Sequence, residues 1–281
     1  MKRKKLTLVP IGGLANRLYA ITSAIAFCKE HDIDLKVVWF KDWGMGADFH
    51  ALFELAGNHP YIEIIDATWK DYVYDRPRKR NLWWSLLYQR VRFGRCVYES
   101  QVINGYSSDD LKKDFLSNDR IYLVHYCSFY ACDPVRLLTP SEEMLKAIEQ
   151  RKKKFQLDDH VIGVHIRRTD NSGSILHSPL SLFVDKIQQE LSLDPIARFY
   201  VASDDLTEKR KLKEQFGDRI ITSWEEVRRD TLQGIKDAVV ELYMLASTKK
   251  IYGSASSTYS MFAALLGHIK LEILQNSLKK Q

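Results

Sequence analysis

Residues 161–170 read VIGVHIRRTD, a mostly apolar run that ends in two arginines and an aspartate. A short apolar run of this kind, followed by apolar residues at helical spacing, predicts a strand buried within a parallel sheet. The same alternation continues through the second half of the chain, and it is typical of a doubly wound α/β sheet. We predict strands at 161–166, 198–202, 220–222 and 250–253, and helices at 180–191, 208–216, 232–246 and 258–266.

The first half of the chain repeats this pattern. LTLV at residues 6–9 is followed by Gly12 and Gly13, apolar residues then recur at helical spacing to Cys28, and a second apolar run follows. This order predicts a βαβ unit and a second parallel sheet. We predict strands at 6–9, 35–40, 61–65 and 121–125, a helix at 141–155, and a loop with a short helix at 41–60.

The basic run at residues 151–154 is the predicted boundary between two Rossmann-like domains, 1–152 and 153–281. A chain of 281 residues is near the limit of what a single hydrophobic core supports.

The composition is that of a folded globular protein, with 45% hydrophobic and 28% charged residues. A net charge of +6 fits an anionic partner and leaves nucleic acid, a membrane surface and nucleotide-bearing substrates open. The four cysteines form no C-x-x-C pair, so we expect reduced, packed thiols. We find no signal peptide and no apolar stretch of roughly 18 residues. We therefore expect a cytoplasmic location.

The segment 76–95 is basic and aromatic, with seven Lys or Arg residues and no acid. One interpretation is a helix that packs its apolar face into the domain. A second is a surface that contacts anionic lipid headgroups or a lipid-linked substrate, which would place the protein peripherally at the inner face of the membrane. Nucleic-acid binding is a third interpretation and the least favoured of the three. We therefore predict no nucleic-acid partner.

Ligands of open parallel sheets bind beyond the carboxyl ends of the strands. The residues that follow strand 161–166 include Arg167 and Arg168, and a guanidinium matches phosphate oxygens in a bidentate manner. A structural ion pair with Asp170 or Asp204 is an equally good explanation of these arginines.

The turn 253–258 is rich in small and hydroxyl residues and leads into a helix. Its N–H groups and hydroxyls can bind an anion, although an ordinary helix N-cap has the same composition. Glu241 precedes the last of the predicted strands, and its carboxylate can accept two hydrogen bonds from guanine. A solvated helix residue is the alternative for Glu241.

Four motifs resemble those of the α-1,2-, α-1,6- and protein O-fucosyltransferase superfamily. HIRRTD at 165–170 resembles its H-x-R-R-x-D segment, and GGLANRL at 12–18 is similar to its N-terminal G-G-x-x-N-R loop. YVASDD at 200–205 resembles its strand that ends in two aspartates, and 254–266 its S-S-x-x-S helix start. The resemblance covers most of the chain and is strongest for the α-1,6 branch.

This resemblance implies a GT-B fold of two Rossmann-like domains, with GDP-fucose bound mainly by the C-terminal one. Arg167 would hold the diphosphate, His165 and Glu241 would lie near the guanine, and Asp204 and Asp205 would support the site. The remaining donor-binding candidates are Arg168, Ser256, Ser257 and Thr258, together with Gly13 and Arg17 from the N-terminal domain. The catalytic candidates are Arg167, Asp170 and Asn16.

The implied reaction is an inverting, metal-independent transfer of fucose, without a cofactor, to a bacterial glycan or lipid-linked oligosaccharide. The α-1,6 enzymes carry a Glu after the R-R-x-D motif, and this chain has none there. The candidate bases are then Asp170, His177 and a carboxylate of loop 42–48. The D-x-D pair at 32–34 is interpreted as a solvated turn. Two alternatives are a different GDP-sugar donor and an inactive nucleotide-sugar binding module.

Overall fold

The computed structural model describes residues 3–75, 83–168, 172–225 and 228–276. The chain forms two compact units, Met1–Ser141 with Arg229–Leu232, and Glu142–Arg228 with Gln233–Gln281. The first unit ends at Ser141, before the boundary that we predicted at residue 152. Residue 152 lies inside a helix, Glu142–Phe155. The basic residues 152–154 occupy the last turn of that helix, where positive charge suits the helix dipole, so they do not mark a linker.

The first unit contains a five-stranded parallel sheet of order β4-β2-β1-β6-β5 and an antiparallel pair, β3 and β7. Its strands are β1 (Lys5–Pro10), β2 (Asp34–Trp39), β3 (Phe53–Leu55), β4 (Ile62–Asp66), β5 (Arg95–Val97), β6 (Arg120–His125) and β7 (Leu138–Pro140). Its helices are α1 (Leu14–Glu30), α2 (Trp69–Tyr74), α3 (Trp83–Arg92), α4 (Glu99–Ile103) and α5 (Ser108–Ser117), with a 3-10 turn at Pro134–Arg136.

The turn between β1 and α1 depends on a glycine. Gly12 has a φ of +89°, and a Cβ at this position would lie 2.8 Å from Nδ2 of Asn16. A larger residue would therefore meet both backbone strain and a steric clash. The predicted strand–turn–helix–strand order of this region is confirmed.

The prediction of a short helix within residues 41–60 is wrong. This stretch contains a bridge between Asp42 and Met45, then strand β3, which pairs with β7. The Asp42 carboxylate accepts a hydrogen bond from the N–H of Gly44 at 2.8 Å, which closes the turn locally. The partner of β3 is far away in sequence, so local spacing carries no signal for this pairing.

The second unit contains a five-stranded parallel sheet of order β10-β9-β8-β11-β12. Its strands are β8 (Val161–Ile166), β9 (Arg198–Ser203), β10 (Ile220–Ile221), β11 (Lys250–Ser254) and β12 (Lys270–Leu274). Its helices are α6 (Glu142–Phe155), α7 (Ser172–His177), α8 (Leu180–Leu193), α9 (Leu206–Phe216), α10 (Leu232–Ala246) and α11 (Thr258–Gly267), with a 3-10 turn at Gly217–Arg219.

Strand β8 lies at the centre of this second sheet. From β8 the chain proceeds to β9 and β10 on one side, and later to β11 and β12 on the other. The connections that leave β8 and β11 at their carboxyl ends therefore diverge, which makes this point the topological switch of the sheet. Ile162, Val164 and Ile166 of β8 pack in the core with side chains of α8 and β9.

Helix α3 is most of the described part of the basic aromatic segment 76–95, of which residues 76–82 lie outside the described ranges. The interpretation in which its apolar face packs into the domain is wrong for Trp83, Leu87 and Val91, which are exposed. Trp84 and Tyr88 are half-buried against Tyr74 of α2, and the residues that α3 buries fully are Ser85 and Gln89. Within the described parts of the chain, no helix combines the length and apolar character needed to cross a bilayer. Cys28 is buried, the other three cysteines are half-buried, and all four thiols are free.

Candidate functional site

Asp204 orients both arginines that follow strand β8. Its Oδ1 accepts a hydrogen bond from the backbone N–H of Arg168 at 2.7 Å, and its Oδ2 lies 3.2 Å from Nη1 of Arg167. Strands β8 and β9 are in register at this point, with Ile166 opposite Ser203. The pairing of the two strands therefore brings Asp204 to the arginines, as the ion-pair explanation required.

The two arginines differ in accessibility. The Arg168 guanidinium donates to the carbonyl oxygens of Arg167 and Ser178, each at 3.0 Å, and its Nε lies 3.7 Å from Glu208. The Arg168 side chain is 10% exposed, whereas that of Arg167 is 21% exposed. Arg168 thus holds the loop after β8, and Arg167 is the one that offers accessible guanidinium surface to a ligand.

Ser254 joins the ends of the two strands at the switch point. Its hydroxyl accepts a hydrogen bond from the N–H of Arg167 at 3.0 Å and donates to the carbonyl of His165 at 3.3 Å. The end of β11 also packs closely against helix α11, because a Cβ on Gly253 would lie 2.7 Å from Oγ of Ser260. The turn before α11 is thereby fixed against the residues that carry Arg167.

Helix α11 begins without the ordinary side-chain cap. Ser257 occupies the N-cap position but makes no capping hydrogen bond, and the exposed Ser256 has a φ of +56°. The alternative of an ordinary Ser or Thr N-cap is therefore not what the structure contains. Backbone N–H groups at such a helix start, together with the helix dipole, favour an anion.

His165 is buried at this site. Its Nδ1 makes no hydrogen bond with the residues that the structure describes, and its ring centroid lies 5.0 Å from that of Tyr259. Burial, with a further contribution from Arg167, lowers the pKa of His165 to about 3. The imidazole is thus neutral at neutral pH.

Glu241 is buried in an ion pair and is not the solvated helix residue of the alternative. Its Oε1 lies 3.2 Å from Nζ of Lys209 and accepts a hydrogen bond from Oγ of Ser223 at 3.0 Å. Burial raises the pKa of this carboxyl, and Lys209 opposes that shift. The predicted contact of Glu241 with guanine stays a prediction.

Asp205, the second residue of the aspartate pair, is the N-cap of helix α9. Its Oδ1 accepts a hydrogen bond from the N–H of Thr207 at 2.7 Å. This cap lets the helix begin at Leu206, earlier than predicted.

The glycine loop of the first unit contains Gly13, Asn16 and Arg17. Gly13 is the N-cap of α1, and Asn16 is half-buried. Arg17 has no exposed surface: its guanidinium donates to the carbonyls of Gly12 and Phe40 and to the carboxylate of Asp42, at 2.9, 2.5 and 2.8 Å. These contacts are structural and do not favour the donor contact predicted for Arg17.

The candidate bases are in different situations. Asp170 lies outside the described residues, and His177 is the last residue of α7. In loop 42–48, Asp42 is held by Arg17 and Asp48 by Lys41 at 2.9 Å. In the D-x-D pair, Asp32 is exposed with a φ of +53°, and Asp34 pairs with Arg3 at 2.8 Å. The described residues contain no cluster of three or more His, Cys, Asp or Glu side chains suited to a metal ion.

Sequence analysis missed the serines that support the turn before α11. Ser178 accepts a hydrogen bond from the N–H of Ala255 at 2.8 Å and donates to the carbonyl of Leu274 at 2.6 Å. Ser174 donates to the carbonyl of Ala255 at 2.5 Å. Both serines are fully buried, yet a serine near a predicted loop gives no signal of such a role.

Two doubly wound parallel sheets, with a switch-point site in the second, are the architecture of the GT-B class. Fucosyltransferase NodZ from Bradyrhizobium has this fold with a TM-score of 0.63 at 15% identity, over 95% of this chain and 93% of NodZ. A variant of Arabidopsis thaliana FUT1 in complex with GDP gives 0.63 at 14%, over 97% and 71%. POFUT1 in complex with GDP gives 0.57 at 12%, over 97% and 99%.

These similarities confirm the predicted fold class, a GT-B-like α/β protein with two Rossmann-like domains. At 12–15% identity they show a fold shared with these fucosyltransferases, and the resemblance of the motifs to the superfamily stays a prediction. No protein-family model matches the chain, and no curated protein matches it in sequence.

Proposed function

We propose that this protein is a glycosyltransferase that moves fucose from GDP-fucose to a hydroxyl group of a glycan or lipid-linked oligosaccharide. The observation that carries the proposal is the position of Arg167 at the switch point of the second sheet, where Asp204 orients its guanidinium. Proteins of this fold have been solved with GDP, as FUT1 and POFUT1, or after soaking with GDP-fucose, as NodZ.

In this proposal the diphosphate of the donor binds between Arg167 and the start of helix α11. Arg167 contributes charged N–H donors, and the first turn of α11 contributes backbone N–H groups and the positive end of the helix dipole. Ser256, Ser257 and Thr258 then lie against the phosphates. The contact of His165 with the guanine, which the resemblance implies, stays a prediction.

The proposed reaction is a direct displacement. The acceptor oxygen attacks the anomeric carbon of fucose on the face opposite GDP, the bond from that carbon to the phosphate oxygen breaks, and its electron pair leaves with GDP. Negative charge therefore grows on the diphosphate. Fixed guanidinium and N–H donors stabilise such charge electrostatically, which supports a mechanism without a divalent metal.

The acceptor hydroxyl must lose its proton during this displacement, and a general base typically contributes about 10²–10⁴-fold to the rate. Asp170 is the base that we propose first, since it follows the arginine pair in sequence. Asp170→Asn should lower kcat within that range and leave the Kd for GDP unchanged. His177→Gln is the matched comparison. A wild-type kcat for Asp170→Asn would show that another group is the general base.

Calorimetric titration with GDP, GDP-fucose, GDP-mannose and UDP-glucose, with and without EDTA, tests the donor class. We expect GDP and GDP-fucose to bind and EDTA to have no effect. Equal binding of GDP-mannose would point to another GDP-sugar donor. Binding of a GDP-sugar without transfer to any acceptor would point to an inactive module. Absence of binding to all four nucleotides would refute the proposal.

A further inference from the structure

Helix α3 turns its apolar face outward. Trp83, Leu87 and Val91 are 77%, 55% and 81% exposed, and they share one side of the helix because they are spaced four residues apart. Leu86 and Arg90 lie on the same side and are also exposed. A surface helix of a globular protein normally directs such a face into the core, so α3 has the opposite orientation.

Polar contacts on the inner face fix this orientation. Ser85 donates to the carbonyl of Val73 at 3.3 Å, and Gln89 donates to the carbonyl of Tyr74 at 3.4 Å. Tyr98 in turn donates to Oε1 of Gln89 at 2.8 Å. Rotation of α3 to bury its apolar face would break these bonds, and burying unpaired polar groups costs free energy. The outward apolar face is thus a specified feature of the first unit.

The exposed face combines apolar and cationic groups. Residues 83–95 contain three arginines and no acid, and Arg90 lies within the apolar face itself. The neighbouring helix α2 packs on α3 through stacked Tyr74 and Tyr88 rings, 4.2 Å apart, and exposes Trp69 and Lys70. Tryptophan, aliphatic side chains and arginine together match the boundary between lipid headgroups and acyl chains.

We propose that the outward face of α3 docks this protein on a bilayer that contains anionic phospholipid. Trp83, Leu87 and Val91 insert at the level of the headgroups, and Arg90 contacts lipid phosphate. A single short helix gives modest, reversible binding, so the contact depends on both apolar insertion and charge. This inference does not depend on the proposed donor site, which lies in the other unit. Where both hold, the protein acts next to a lipid-linked acceptor.

The test is co-sedimentation of the full chain with vesicles of phosphatidylcholine alone and of phosphatidylcholine mixed with phosphatidylglycerol, whose negative surface potential attracts basic segments. The wild type should bind the anionic vesicles and bind neutral ones at least about tenfold more weakly. A triple variant, Trp83→Ser with Leu87→Ser and Val91→Ser, should weaken anionic binding by about tenfold or more. Arg90→Glu should weaken it too.

Matched controls come from exposed side chains elsewhere in the first unit. A control triple replaces Ile103, Leu116 and Val135 by serine, since these are also exposed apolar residues, and Lys29→Glu matches the charge change at Arg90. Both controls should bind vesicles like the wild type. All variants should keep the wild-type melting temperature and GDP affinity, because the changed side chains are exposed.

Three outcomes would overturn the proposal. The wild type binds no vesicles, or the α3 triple and the control triple lose binding equally. The third is a dimer in sedimentation velocity that the α3 triple dissociates while no variant binds lipid; this would assign the face to a second copy of the chain.

Discussion

Arg167 and Arg168 are adjacent in sequence but have different surroundings. Arg168 is held by two carbonyl oxygens and Glu208, whereas the more exposed Arg167 is held beside Asp204. Charged hydrogen bonds contribute about 1.5–3 kcal/mol each, so a bidentate contact with a diphosphate is worth at least a hundredfold in affinity. This difference separates the effects expected of the two substitutions.

We predict that Arg167→Ala weakens GDP binding by about a hundredfold or more. Arg168→Ala should instead lower the melting temperature, because it removes internal hydrogen bonds. Calorimetry with GDP and thermal unfolding of both variants measure the two effects. Unchanged GDP affinity in Arg167→Ala would remove this residue from the donor site.

His165 should make the stability of the protein sensitive to acid. Its pKa is lowered from 6.5 to about 3 in the folded protein, chiefly by burial. The unfolded state therefore binds a proton that the folded state does not, and the free energy of unfolding falls as the pH drops from about 6.5 toward 3. At pH 4 this group lowers the free energy of unfolding by roughly 3 kcal/mol relative to neutral pH.

Replacement of His165 by Gln should remove this contribution, so the free energy of unfolding should fall less between pH 7 and pH 4 than it does in the wild type. Urea unfolding at both pH values measures it. His268→Asn is the matched control, since His268 is exposed and caps α11 in the left-handed region, which Asn tolerates. An equal pH dependence in His165→Gln and the wild type would contradict the assigned protonation state.

At the scale of elements, the buried pair of Lys209 and Glu241 connects helices α9 and α10. Lys209 has no exposed surface, and its Nζ also donates to the carbonyl of Ser223 at 3.1 Å. Loss of one partner of a buried pair leaves an uncompensated charge and typically costs about 3–5 kcal/mol. Glu241 can escape that state by binding a proton, and burial already raises its pKa.

We predict that Lys209→Met destabilises the protein by about 3–5 kcal/mol at pH 8 and by less at pH 5. The sign follows from the raised pKa: the folded state holds the proton to higher pH than the unfolded state, so stability falls as the pH rises through that interval. Loss of the Lys209 charge raises the pKa of Glu241 in the folded state further, so this pH interval extends to higher pH. Urea unfolding at both pH values measures this difference, and Lys146→Met, at the exposed pair with Glu142, is the control. Equal losses of unfolding free energy in the two variants would show that the burial of the pair does not determine the cost.

Elements with a local signal were predictable from the sequence, and those that depend on distant partners were not. The spacing of apolar residues gave helix α10 with its observed bounds, and the apolar run gave β8. Strand β3 was missed because its partner β7 lies far along the chain. The orientation of α3 was also hidden, since the carbonyls that bind Ser85 and Gln89 belong to another helix.

The candidate site divides in the same way. Arg167 and Asp204 were predictable because each follows a recognisable strand of a sheet whose carboxyl ends bind ligands. The burial of Arg17 was not predictable, since its acceptors include the carbonyl of Phe40, just after β2, and the carboxylate of Asp42, which local spacing does not bring to it. The resemblance implied that Asp204 and Asp205 both support the site, yet Asp205 caps α9. Neighbours in a motif can thus have different roles.

For the whole molecule, the division into two compact units means that a ligand of one unit need not stabilise the other. GDP bound to the second unit should stabilise that unit by about 2.7 kcal/mol at a hundred times its Kd, which slows exchange through unfolding by about a hundredfold. We predict this slowing for amides of β8 and β9, and little change for β1 and β2. Hydrogen exchange with mass spectrometry measures both, and Arg167→Ala with GDP is the control. Equal slowing in β1 and β8 would show that the two units open as one, and GDP would then stabilise the chain as a whole.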